Sequence, residues 1–312
     1  MNTEEILSKV KSPFTTEFIK ELIIDYLNSE SITHFMQIEK NSQTEVPNEY
    51  VKYLYFSNID TDSWGNWVLL NKDLNTEDIK HRLYINAKGE NKAEIITQFL
   101  DECELSKLPY LFKYSKVDSM GDDEIVFATD DDTLSKTLEL LRKITEPMEL
   151  GAPLKLAGKY NEKIGIADED TQCRGRFSYT ETRLKRIPSA LQKYMLDNYD
   201  TFSKYCDEEE SEKLNTIKDS FNYELDFCHE FESDFQAKIE LLESHISTAL
   251  LDYLMIDDLK SAFKAAIADN PEILDEMAKD FIEVCKHCKI SSNIIYSSET
   301  EEKLKNFDSI SL

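Results

Sequence analysis

Arginine is scarce in this chain: six occur among 312 residues, where Asp and Glu number 62 and the formal net charge is -26. So acidic a balance argues against general affinity for nucleic acid, which needs Lys and Arg to displace counterions from phosphates. It argues equally against adsorption to anionic lipid. Glycine and proline are also few, seven of each, which speaks against long flexible linkers and against an all-β fold built on many tight turns. No apolar run approaches the roughly 18 residues of a membrane span. The opening "MNTEEILSKVKS" has neither the apolar stretch nor the cleavage pattern of a secretory signal. Six cysteines fall without a regular framework, so they read as reduced thiols of a cytoplasmic protein. Export by a specialised system that reads another signal stays open. There is no P-loop, no GxGxxG and no HExxH, so no cofactor is expected.

What is present reads as an α+β chain, a small mixed sheet covered by helices with a largely helical C-terminal half. The expected organisation is one domain over 1–312. It has an N-terminal helical segment (1–50), a sheet-containing core (51–190) and a helical remainder (191–312), with an acidic insertion near 200–245. Phe18, Leu22, Ile23 and Tyr26 recur at helical spacing after Thr15-Thr16. "GNWVLLNK" reads as a strand after a Gly65-Asn66 turn. "RLYINA" alternates, with Leu83 and Ile85 opposite Tyr84 and Asn86. A helix is predicted over Ala93–Lys107, then strands in "PYLFKY" and "DEIVFAT", then a helix carrying Leu134, Leu138 and Leu141. The order is β-α-β-β-α. "GAPLKLAGKYNEKIGIADEDTQ" reads as a long ordered loop. From about Glu181 the pattern is helical, and residues 201–260 carry 16 acids against 5 basic residues.

Four of the six arginines stand together in "CRGRFSYTETRLKR", Cys173 to Arg186. Arginine's planar fork of donors matches pairs of phosphate or carboxylate oxygens. Ser178, Tyr179, Thr180 and Thr182 add hydroxyls between them. The island is either an anion site or a set of structural ion pairs with the abundant acids. "CKHC" at Cys285–Cys288, with Cys228 and His229 elsewhere, is a metal candidate of the weakest kind, having no second CxxC. Buried thiols are the simpler reading, and no metal is expected. Trp64 and Trp67 flank a turn that either packs on the core or takes a peptide.

Ser178-Tyr179-Thr180-Glu181-Thr182-Arg183 resembles the S-F-G-x-x-R motif of the HopA-type effector family. Members of that family are type III effectors or are encoded in lanthipeptide gene clusters. "IGIADED" resembles the stretch that precedes the motif, and "RLYINAKGENKAEIITQFLDECELSKLPYLFKY" resembles the family's R-x-Y-x-N strand, helix and following strand. "CKISSNIIYSS" resembles its C-terminal segment. The likeness spans roughly residues 50–300, apart from the acidic stretch near 200–245.

The resemblance implies a phosphothreonine-lyase-like fold and β-elimination of phosphate from a phosphorylated side chain. That reaction needs a base for the α-proton, an acid for the leaving phosphate and cations to hold it. Where the lyases have K-F-H-x-S, this chain has Arg82-Leu83-Tyr84-Ile85-Asn86. Arginine stays protonated and is a poor base, whereas Tyr84 can donate a proton. The resemblance therefore gives Arg82, Lys113, Arg183 and Ser178 as phosphate contacts and Tyr84 and Lys113 as the catalytic residues, with Lys88 the other candidate base. An arginine usual in the family falls on Met120, and its usual glycine on Thr180. The implied partners are a phosphorylated or precursor peptide and a partner kinase. The alternative is a non-catalytic module or secreted effector that holds a host or partner protein.

Overall fold

The computed structural model describes residues 2–12, 14–30, 35, 46–51, 54, 60–118, 124–169, 187–188, 191, 194–195, 198 and 260–287. The chain divides into two compact units, one of residues 1–15, 36–184 and 290–312 and one of 16–35 and 185–289.

The first unit holds helices α1 (Thr3–Ser8), α3 (Gly89–Ser106) and α4 (Leu134–Thr145). Its strands are β1 (Val46–Pro47), β2 (Asp60–Trp64), β3 (Trp67–Lys72), β4 (His81–Ile85), β5 (Tyr110–Ser115), β6 (Val117–Asp118), β7 (Ile125–Thr129), β8 (Gly158–Lys159) and β9 (Gly165–Asp168). Seven of them form one sheet in the order β2-β3-β5-β7-β4-β9-β8, and β1 pairs with β6 separately. The expected β-α-β-β-α order holds, and the architecture is α+β. Among the described residues every ladder runs antiparallel, where a mixed sheet is the sequence expectation. The reason is topological: β4 and β5 flank α3 in sequence, but β7 lies between them, so they never pair.

Alternation in β4 sends Leu83 and Ile85 to the face that α3 covers. Gly89, at φ +55°, turns the chain into α3, and Lys107, at φ +55°, ends it by donating its N–H to the carbonyl of Cys103. Ile95, Ile96, Phe99 and Cys103 form the buried face of that helix. The Phe99 ring meets Phe127 at 4.7 Å, Phe112 at 5.6 Å and Tyr110 at 6.0 Å between centroids. The helix therefore sits on β5 and β7 through aromatic edges and faces. Burial of the Cys103 thiol there pushes its pKa up to about 12.

Helix α4 buries Leu134, Leu138, Leu141 and Ile144 in the same core. Asp130 precedes it and accepts from the Thr133 N–H at 2.7 Å. At its other end the ammonium of Lys163 donates to the carbonyls of Thr145, Glu146 and Met148 at 2.8, 2.8 and 2.6 Å. A cation there satisfies acceptors that a helix end leaves open.

Residues 151–169 are not one long loop. They contain the β8–β9 pair, and β9 adds to the edge of β4. Asn86 fixes the approach: its backbone oxygen accepts from the Gly151 N–H, and its side-chain amide donates to the Ala152 carbonyl, both at 3.1 Å. Gly165 lies opposite Tyr84, and a Cβ there would come within 3.1 Å of the Pro153 Cβ. Only a residue without a side chain fits comfortably.

In the second unit, α2 (Thr16–Asn28) packs on α5 (Glu272–His287). The helical spacing read from the sequence is the spacing observed, since Phe18, Leu22, Ile23 and Tyr26 are all buried. Residues 260–269 are helical too, and buried Lys260 donates to the Ser29 carbonyl at 3.0 Å while lying 4.3 Å from the Tyr26 ring centroid. Helices thus account for the described part of the C-terminal region. The acidic stretch near 200–245 lies outside the described residues.

Candidate functional site

Strand register decides which side chains share a face. Tyr84 and Lys113 are both paired to Val126, one from β4 and the other from β5. They stand in one row across the sheet, two strand spacings apart, about 10 Å at the backbone. Arg82 precedes Tyr84 by two residues and so points to the same side. Phe112, Phe127 and Leu83 point the other way, into the core under α3. Three residues that the sequence singles out for anion contact and proton transfer therefore occupy one sheet face.

Arg82 is one-fifth exposed, and its Nε and Nη2 donate to the two carboxylate oxygens of Glu169, the Nη2 bond at 2.7 Å. Burial opposes its charge, but the nearby Tyr84 and Glu169 outweigh that and raise its pKa. Glu169 is 8% exposed and follows directly on β9, its N–H donating to the Lys80 carbonyl. Tyr84 is 2% exposed. Lys113 is half-buried, with its ammonium 4.3 Å from the Trp67 ring centroid, within cation–π reach. Trp67 stands two residues before Leu69, which pairs with Lys113, so its ring and the ammonium share one sheet face.

On the opposite face, one residue earlier, His81 stands between two carboxylates. Its Nδ1 lies 3.1 Å from Asp168 and its Nε2 3.1 Å from Asp131. Both contacts are hydrogen bonds only if both nitrogens carry protons. Burial lowers the imidazole pKa, yet the two carboxylates outweigh burial and raise it. Asp131, which also pairs with Lys80, is held well below the usual carboxylate range, chiefly by its hydrogen bond to His81. The end of β9 is thus tied to β4 from both faces, by His81–Asp168 and by Arg82–Glu169.

Lys88, the other candidate base, is exposed at the start of α3, beyond the end of β4. Arg183, Ser178, the rest of the arginine island and Met120 lie outside the described residues, as do Cys228, Cys288 and the side chain of Cys285. Among the described residues no group of three or more His, Cys, Asp or Glu is arranged to hold a metal ion. Among them, too, no helix is long and apolar enough to cross a membrane.

Sequence reasoning missed Glu169, His81 and Asp168. The pairs they form span 87 residues and depend on β9 lying beside β4. The one local signal was the acid run in "ADED", which reads equally well as a solvated turn.

No protein-family model matches the chain. No curated protein matches it either. Among solved structures it is similar to an effector protein from Pseudomonas syringae pv. tomato strain DC3000, at 12% identity and TM-score 0.43, over 57% of this chain and 88% of that one. It is also similar to an effector protein from Pseudomonas syringae pv. syringae strain 61, at 16% identity and TM-score 0.33, over 62% of this chain and 80% of that one. Similarity at this level leaves the chemistry to be argued from the chain's own residues.

Proposed function

We propose that the chain is a cytoplasmic lyase that eliminates phosphate from phosphoserine or phosphothreonine in a peptide and leaves a dehydroamino acid. The observation that supports this reading is the convergence of Arg82, Tyr84 and Lys113 on one sheet face. In the proposed step the neutral amine of Lys113 takes the α-proton. The electron pair so released forms the Cα–Cβ double bond as the Cβ–O bond breaks. Tyr84 gives its phenolic proton to the departing phosphate and regains one from water. Arg82 offsets the charge that gathers on the phosphate oxygens. Arg183 and Ser178 complete the phosphate contacts in the family the sequence resembles. That resemblance also makes a precursor peptide the substrate and a kinase the source of its phosphate. The test is the mass of phosphoserine and phosphothreonine peptides after incubation with the protein. Loss of phosphoric acid is expected, and intact peptides throughout would refute the lyase.

One observation favours a second reading. Arg82 already holds a carboxylate and Tyr84 is almost wholly buried, an arrangement suited to binding without turnover. The chain would then be a phosphopeptide- or protein-binding module, or an effector that holds a host protein. Phosphate-dependent affinity with no elimination distinguishes this from the lyase.

A further inference from the structure

An arginine presents two edges to anions. The side edge, Nε with Nη2, is the one Glu169 occupies. That takes two of the five N–H groups and leaves both of Nη1 and one of Nη2, and one N–H from each of these nitrogens forms the end edge. Among the described residues Glu169 is the only hydrogen-bond partner of Arg82. A guanidinium held by its side edge cannot rotate about its long stem, so its end edge faces one fixed direction.

The residue that holds it is fixed in turn. The Glu169 N–H donates to the Lys80 carbonyl at 2.6 Å, one residue from His81. Asp168, just before it, is hydrogen-bonded through its side chain to His81 at 3.1 Å and belongs to the β4–β9 ladder. Glu169 is also the less exposed partner, 8% against 21% for the arginine side chain. A surface ion pair between two mobile chains has none of these features.

We propose that Glu169 is a positioning residue: it clamps the side edge of Arg82 so that the end edge is presented to a phosphate group on the face shared with Tyr84 and Lys113. This rests on the reading of Arg82 as a phosphate contact and adds what orients it. Orientation is worth having because a bidentate anion contact is lost when the fork turns.

The test compares binding of a phosphothreonine peptide with binding of its unphosphorylated twin, by calorimetry on the full chain. Wild type is expected to prefer the phosphorylated form. Glu169→Gln keeps an acceptor but loses the charged clamp, and the preference should fall at least tenfold while affinity for the unphosphorylated twin is unchanged. Glu169→Asp should fall between the two. Arg82→Lys should lose the preference, and the double variant R82K/E169Q should be no worse than R82K alone. Each of these binding results overturns the proposal: E169Q binding as wild type does; E169Q binding phosphate more tightly, which makes Glu169 a competitor; equal loss for both peptides, which is damage to the fold; or additive losses in the double variant. If E169Q does not fold, E169D carries the same comparison, and a wild-type preference in E169D overturns the proposal. Elimination is scored separately by mass. Phosphate-dependent binding that E169Q loses, without elimination in wild type, sustains the clamp and removes the lyase. Elimination that E169Q leaves undiminished sustains the lyase and removes the clamp. A wild type with no preference for phosphate removes both.

Discussion

Two cations of this chain, Lys92 and Arg82, are each held by acids, and they are held differently. Lys92 is wholly buried, and its ammonium lies 2.5 Å from Glu124, 2.8 Å from Asp118, 2.8 Å from the Val117 carbonyl and 3.2 Å from that of Ser115. Three N–H groups thus meet four acceptors, and nothing is left over. Asp118 passes the connection on, accepting from the Gly89 N–H at 2.8 Å and from the Asn48 amide at 2.8 Å. Its pKa is lowered although burial alone would raise it, because these donors and Lys92 outweigh burial. Arg82 spends two of five donors on Glu169 and sits one-fifth exposed on the sheet face it shares with Tyr84 and Lys113. The saturated cation ties α3 to the sheet. The other keeps three N–H groups beyond its carboxylate partner, the ones the proposed phosphate contact would use.

The largest effect should come from breaking the saturated site. Lys92→Met leaves Glu124 buried without its counterion and should cost about 3–5 kcal/mol of stability, read by urea unfolding. Replacing Glu124 by Gln as well should recover a large part of that loss. Lys163→Ala should cost roughly 1–2 kcal/mol through the carbonyls it leaves at the end of α4, with no change in phosphopeptide affinity.

The His81 cluster sets a pH dependence. Its folded pKa is raised, so its contribution is complete below the ordinary imidazole value of about 6.5 and is lost as pH rises through the raised value. Asp131 runs the other way, contributing above the ordinary carboxylate range and losing its share as pH falls through its lowered pKa. The melting temperature of wild type should therefore decline on the alkaline side more than that of His81→Gln. Parallel curves for the two proteins would dismiss the cluster as a contributor. The smallest effect belongs to Lys72→Ala, whose partner Glu104 is exposed. No measurable change in melting temperature is expected.

Legibility followed the range of the interaction. The period of Leu83, Ile85 and Tyr84 declared β4, and Phe18 to Tyr26 declared α2, because each pattern lies within one element. Strand β9 could not be read: Gly165, Ile166, Ala167 and Asp168 are all buried, so no polar–apolar alternation marks them. Its existence depends on β4, some eighty residues earlier. The antiparallel run of the sheet escapes local pattern for a related cause, since the placing of β7 between β4 and β5 is a choice of neighbours. Arg82, Tyr84 and Lys113 were reached through resemblance, and register then put them on one face. Glu169 required the fold itself, because a carboxylate in an acidic run becomes a clamp only when β9 carries it to Arg82.

The measurement that bears most directly on the account is the mass of phosphoserine and phosphothreonine peptides incubated with wild type, Arg82→Lys and Tyr84→Phe. The account predicts loss of phosphoric acid with wild type and peptides left intact by both variants. Elimination at an undiminished rate in either variant, or none by wild type from any phosphopeptide, contradicts it.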